Sequence, residues 1–406
     1  MVASAARLTL VLGSFALAAT TAWTPPARAI AEVPASLPDQ AFWHLVTGAS
    51  EAGGTFSSNN WVSNELVFQT VLPDLVTRVA RGGVYLGVGP DQNFTYIVGL
   101  RPSIAFIVDI RRQNMLQHLL FKAIIELSPT RVEFASRMFS RPRPSGIEVN
   151  ATPDAILSAI AQQEPDQRLY RQTLTQALDL LKRKRGFGLT PDDEGTNEYV
   201  LRTFFEFGPD LTYSPIPMRG ASFGALRLAA SSPYPSFAEL MNETDGRGVN
   251  RAYLASEPSY KVLREMQQKN LIVPLVGDFG GGKALRAVGK WVRDHNAIVT
   301  TFYTSNVEQY LFQNNVWREY YDNVAALPLD RSSTFIRSYF PGQFRGRAMP
   351  DRQGGVRPPP ELPAAANAMP LPSATLLCSI QELLAAVKAG RIENYFDVID
   401  LSMGQK

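Results

Sequence analysis

Apolar residues fall along this chain in short unbroken blocks, separated by stretches with helical spacing. Val84-Tyr85-Leu86 is one block, closed by Gly87-Val88-Gly89. Ile104 to Val108 is a second, ending on Asp109. Leu271 to Val276 runs into Gly277, and Ala297 to Tyr303 runs into Thr304-Ser305-Asn306. Blocks of this length, without polar alternation, predict strands buried on both faces, as in a parallel sheet covered by helices. Between them, Trp61, Leu66, Val67 and Val71 recur at roughly helical spacing, and Pro73 kinks or restarts a helix running on to Ala80. Asp91 stands as the N-cap of a short helix through Leu100, which Arg101-Pro102 stops. A helix follows from Gln113 to Leu127, and Ser128-Pro129 restarts another through Phe139, with proline at its first position. Pro153 to Arg185 reads as largely helical, and Thr190-Pro191-Asp192-Asp193 is a helix start. A helix runs from the glycine loop after Gly277 to His295, and Glu308 to Asn314 opens the next. Thr375 to Cys378 and a helix from Ser379 to Gly390 return to the sheet, with Ser379 and Glu382 as a capping box.

The fold expected is α/β: a mostly parallel, doubly wound, Rossmann-like sheet with a helical and irregular insertion. Residues 30–150 supply its first part and 271–340 its second, with the insertion at 151–270. A Pro/Gly/Ala-rich linker spans 341–373, and a strand and helix occupy 374–406. Phe207 to Gly248, rich in Pro, Gly, Ser and Tyr, reads as irregular chain placed to lie over a pocket. Residues 1–29 carry the pattern of a signal peptide: Arg7, an apolar run from Leu8 to Ala19, and Ala27-Arg28-Ala29 before Ile30. A working leader implies a periplasmic or secreted protein, and otherwise a cytoplasmic one. No later segment reaches the roughly 18–20 apolar residues of a membrane span.

The composition of the 406 residues, 45% hydrophobic and 19% charged, is that of a folded globular chain. Its formal net charge of +3 is too weak to argue for a nucleic-acid partner, and none is indicated. The run Lys182-Arg183-Lys184-Arg185 reads as a solvated helix end that complements the helix dipole. One cysteine, Cys378, excludes an intrachain disulfide, and three scattered histidines give no zinc-type spacing. No metal site is expected, a carboxylate-only one staying open, and no Ser-His-Asp arrangement is legible.

Three loops carry candidate chemistry, each following a strand. The first is Gly87-Val88-Gly89-Pro90-Asp91, with Asp109 at the end of the next strand. Glycines there let backbone approach a small ligand, and an acid at the end of a second strand accepts hydrogen bonds from ribose hydroxyls. Gln92 stands at the third glycine position of G-x-G-x-x-G, which argues against a dinucleotide. The second is Gly277 to Lys283, fitting G-x-x-x-x-G-K, but with Ala284 where a phosphate loop has Ser or Thr. The third is Tyr303 to Glu308, where Tyr303 and Asn306 are placed to orient a substrate, and Glu308 acts as base or caps the helix. Thr304, Ser305 and Asn306 are also ordinary capping residues. In a parallel sheet these loops gather at one edge, so Asp278, Lys283 and the third loop should face the crevice of Gly89 and Asp109. Ser63-Asn64-Glu65 and Arg111-Arg112 add polar groups near the first loop. Arg111 either pairs an anionic ligand group or neutralises Asp109.

The first loop resembles the class I methyltransferase pattern in Gly87, Gly89 and Asp109, with Tyr85 where that pattern has an acid. More broadly, Gly82 to Arg143 and Val276 to Arg337 are similar to an uncharacterised bacterial family of methyltransferase-like architecture, in GGVYLGVGPDQNFTYI, FIVDIRR, ALRAVG and TFYTSNVEQYLF. The two stretches make up about a third of the chain. It implies S-adenosylmethionine as cofactor, held by Gly87, Gly89, Asp91 and Asp109, and methyl transfer as the reaction, with Asp278, Tyr303, Asn306 and Glu308 as catalytic candidates. The alternatives are an exported, non-catalytic protein binding a small ligand on the same fold, and a phosphate-loop nucleotide binder centred on Lys283.

Overall fold

The computed structural model describes residues 32–213, 234–344, 349–350, 356–362 and 372–404, all within one unit, Ala31–Lys406. The leader expected at 1–29 lies outside them, as do residues 214–233 of the irregular stretch and most of the linker.

The apolar blocks form strands, and they pair in parallel. β1 (Val84–Gly87), β2 (Ile104–Asp109), β3 (Ile272–Val276), β4 (Val299–Ser305) and β5 (Thr334–Tyr339) point the same way. A ladder of β6 (Met349–Pro350) and β7 (Val356–Arg357) stands apart, and β8 (Ala374–Ser379) closes the main sheet antiparallel to β5. The main sheet has six strands in the order β3-β2-β1-β4-β5-β8. The chain therefore builds outward from β1 in one direction, then resumes beside β1 with β4 and builds in the other. Such an order reverses between β1 and β4, and the loops leaving those strands diverge to opposite faces and open a crevice there.

Every residue of β1, β2 and β3 is buried, which is why no alternation shows in their sequences. β5 is as fully buried but reads differently: Thr-Phe-Ile-Arg-Ser-Tyr carries Arg337 in mid-strand. That arginine is tolerated because Glu308 meets it, at 2.7 Å from Nε and 3.1 Å from Nη2. Among the described residues, the connection from β2 to β3 holds seven α-helices between Arg112 and Gln268. Their apolar faces join one continuous core with the sheet, so the helical insertion is not a separate body. Among the described residues no helix is long and apolar enough to cross a membrane.

Several local expectations change. Trp61 to Val67 is irregular, with a 3-10 turn at Phe68–Val71 before the helix Leu72–Arg78. The Ser58 and Ser63 hydroxyls accept from the amides of Asn60 and Glu65, a local bonding that competes with helix. Thr130, not Pro129, starts the helix Arg131–Phe139, in a capping box with Glu133. At Ser379 only half of the expected box forms: its side chain accepts from the Glu382 amide. The basic run ends inward, with Arg185 2.5 Å from both Glu126 and Asp39.

Candidate functional site: a crevice at the sheet's switch point

The crevice has a volume of about 360 Å³ and is bordered by all four loops that leave β1 to β4. Val88 and Gly89 come from the first, Asp109 to Arg111 from the second, Gly277 to Phe279 from the third, and Ser305 to Val307 with Tyr310 and Leu311 from the fourth. The segment 55–65 covers it, contributing Phe56, Asn60, Ser63, Asn64 and Glu65, and Tyr213, Tyr234 and Gln343 complete the mouth. Sequence reasoning brought the loops together correctly. Several of the side chains it chose on them do other work.

Gly89 lies in the crevice with φ +79°, a conformation that favours glycine. Gly87 does not line it. A Cβ there would lie 2.0 Å from Asn93 Oδ1, so this glycine makes room for Asn93. Asn93 Nδ2 donates to the carbonyls of Val88 and Pro90, and His118 Nε2 lies 2.8 Å from that of Gly89, so the loop is held from behind. Burial lowers the His118 pKa to about 4, so at neutral pH it is an uncharged donor to that carbonyl. Asp91 also points away. It makes no capping bond and instead accepts from Tyr253 Oη at 2.8 Å, and burial lifts its pKa to about 6.

Asp109 does line the crevice, but its carboxylate is engaged. Arg111 donates from Nε to Oδ1 at 2.9 Å and from Nη2 to Oδ2 at 2.8 Å. The same guanidinium reaches the Ser58 and Asn59 carbonyls, at 3.0 and 2.5 Å. Arg111 therefore neutralises Asp109 and staples the covering segment to the end of β2. Arg112 instead pairs with Asp193.

The glycine loop after β3 is filled from inside the chain. Glu51 accepts from the amides of Lys283 and Ala284 through Oε1 and from that of Asp278 through Oε2, at 3.1, 2.9 and 2.9 Å. These amides are the kind that cradle a phosphate at a helix start, and here a carboxylate takes that place. Lys283 Nζ donates to the Ser50 carbonyl, and it is not among the crevice residues. Asp278 is: half-buried, it accepts from the Gly280 amide.

At the fourth loop, Tyr303 is wholly buried beneath the floor and accepts from Gln92 Nε2 at 2.8 Å. Asn306 lines the crevice at the N-cap position without a side-chain capping bond. Glu308 is neither base nor cap. It is fully buried with Arg337 and also accepts from Tyr321 Oη at 2.8 Å. Ser305 faces the crevice from a bulge in β4 with φ +52°, a conformation costing a β-carbon residue about 1 kcal/mol.

Glu65 is the residue to which the motifs gave least weight. It is 2% exposed, lines the crevice and accepts from the Ser305 hydroxyl. The Tyr303 and Ser338 hydroxyls lie nearby, and burial is the main cause that raises its pKa. The walls above it are aromatic: Phe56 stands edge-on to Tyr310 at 5.1 Å, and Tyr213 edge-on to Tyr234 at 4.9 Å. Nothing in local sequence marks Glu65, because what sets it apart is the partner it lacks. Among the described residues, no group of three His, Cys, Asp or Glu is placed to hold a metal ion.

A family model, described as a domain of unknown function (DUF7790), matches residues 60–203 and 225–353, which is more than half of the chain. Its first segment begins with the covering segment of the crevice, and its second runs through β3, β4 and β5. A search of curated proteins finds no match.

Proposed function

We propose that this chain, which belongs to the DUF7790 family, binds a small organic molecule in the crevice at the carboxyl ends of β1 to β4. The observation that carries the reading is the convergence of four βα loops on one cavity of about 360 Å³ at the reversal of strand order. Open α/β sheets bind ligands at that place, and pockets of that size take small molecules. Loops held in place by Arg111, Asn93 and His118 give it a pre-formed shape, which lowers the ordering cost of binding. No reaction is assigned, because Tyr303 and Glu308 lie outside the crevice.

A second reading is methyl transfer from S-adenosylmethionine. What favours it is that Gly89 and Asp109, two of the positions in the methyltransferase-like pattern, border the same crevice beyond and at the ends of the adjacent strands β1 and β2. A ribose would have to draw the Asp109 carboxylate from Arg111. Phosphate-bearing nucleotides are less suited, since Glu51 fills the loop that would hold the phosphate.

The test is thermal stability of residues 30–406 with S-adenosylmethionine, S-adenosylhomocysteine, NAD and ATP, in the wild type and in Asn64→Trp, which fills the crevice mouth. A ligand that binds only the folded state raises the melting temperature. A shift with S-adenosylhomocysteine that Asn64→Trp removes supports the methyltransferase reading. A shift that survives Asn64→Trp places binding elsewhere and overturns the crevice reading.

A further inference from the structure

Buried acids in this molecule are, as a rule, matched by a base. Asp109 has Arg111, Glu257 has Arg131, Glu308 has Arg337 and Glu126 has Lys122 and Arg185. Glutamate is almost never fully buried unless it is paired. Glu65 breaks the rule beside a cavity: among the described residues no ion pair reaches it, and its well-formed side-chain bond is to a serine hydroxyl.

The rest of the lining points the same way. Among the described crevice residues Arg111 is the one basic side chain, and Asp109 already takes it. Glu65 and Asp278 remain, so the crevice has an excess of acid. Two buried side-chain atoms of its lining have no hydrogen-bond partner, Glu65 Oε2 and Gln92 Oε1, and both are acceptors. Gln92 is 3% exposed, and its amide nitrogen is committed to Tyr303. A floor short of donors and of positive charge sits beneath walls of Phe56, Tyr213, Tyr234 and Tyr310, whose ring faces attract cations.

We infer that the crevice takes an organic ligand bearing a protonated amine, whose ammonium group supplies the positive charge that Glu65 lacks and the donor that Gln92 Oε1 lacks. The inference rests on the crevice-binding reading above and names its ligand class. Of charged groups, an anion would meet acids and a committed arginine. A neutral ligand would leave Glu65 without a counter-charge.

The pairing has a pH signature. The titratable groups around Glu65 are Tyr85 from β1, Tyr96 from the helix Gln92–Leu100, Tyr303 from β4 and Tyr395 from the helix Tyr395–Ser402. Burial holds all four above the ordinary tyrosine range. Ammonium binding favours ionised Glu65 and so expels its proton. Affinity should therefore rise with pH through the raised pKa of Glu65 and then level off.

Benzylamine, benzyl alcohol and benzoate share one ring and differ in charge, and their binding is measured by calorimetry across pH in the wild type, Glu65→Gln and Asn64→Trp. The expected order is benzylamine, benzyl alcohol, benzoate, with benzylamine ahead of the alcohol by about tenfold, the usual worth of a charge-assisted contact. Glu65→Gln should erase that preference and the pH rise while still binding benzyl alcohol, and Asn64→Trp should weaken all three. Benzyl alcohol or benzoate binding as tightly as benzylamine overturns the inference and leaves the crevice reading standing. A preference that survives Glu65→Gln does the same. If none of the three binds, or if binding ignores Asn64→Trp, the inference falls together with the reading beneath it.

Discussion

Glu65 and Glu308 are both buried to 2% or less, a short distance apart near the carboxyl end of β4, yet the molecule treats them oppositely. Glu308 is gripped by Arg337 through both oxygens and by the Tyr321 hydroxyl. Glu65 is met by hydroxyls alone. A carboxylate removed from water must find positive charge or give up its own. Where the fold supplies the charge, the acid is part of the scaffold. Where it does not, and a cavity adjoins, the acid is available to a ligand. Two acids in similar burial thus separate into scaffold and crevice lining by their partners rather than by their positions in the chain.

The largest effect that breaks the comparison is Arg337→Met. It should leave Glu308 as uncertain of its charge as Glu65 and cost about 3–5 kcal/mol in urea unfolding. Adding Glu308→Gln should restore part of that loss. A loss below about 1 kcal/mol would mean that Glu308 is not held as an ion.

Asp91 sharpens it next, as a buried acid met by Tyr253 without a crevice beside it. Its pKa is raised to about 6 by burial, so the folded state holds a proton that the unfolded chain releases near 3.8. Its contribution is complete below the unfolded value and lost as pH rises through about 6, a loss of about 3 kcal/mol in all. Asp91→Asn should remove that slope from stability measured between pH 4 and 8, without changing benzylamine affinity. His118 works in the opposite sense, its pKa lowered to about 4 by burial: its contribution is present above about 6.5 and lost as pH falls toward 4. An unchanged slope in Asp91→Asn would show that Asp91 ionises in the folded state as readily as in water.

Glu51→Ala exposes the amides after β3 and should cost about 1–2 kcal/mol. Phosphate should then raise the melting temperature of the variant more than that of the wild type. An equal response in both would mean that Glu51 is not what closes that loop to anions.

The smallest effect is Glu65→Gln, which exchanges one uncharged group for another below the raised pKa of Glu65. Stability should change by less than about 1 kcal/mol at acid pH, with the variant gaining on the wild type as pH rises. A variant that loses ground at high pH would show that Glu65 is stabilised as an ion, by a base it does not visibly have.

The chain's own order of residues determined β1 to β4, the helices that follow them and the crevice where their loops meet. These rest on short-range causes: unbroken apolar blocks, glycines at strand ends and the one edge to which parallel strands deliver their loops. The same local reading placed Gly89, Asp109, Asp278 and Asn306 in the crevice. It misplaced Gly87, Asp91, Tyr303 and Glu308, and left β5 unmarked, because each depends on a partner remote in sequence. Tyr303 is turned under the floor by Gln92, 211 residues away. Glu51 closes a loop 232 residues on. Arg337 makes β5 possible by meeting Glu308 from the neighbouring loop. Charge compensation in a buried interior is settled between elements that only folding brings together, so which acid is scaffold and which faces the crevice was decided by the tertiary structure alone.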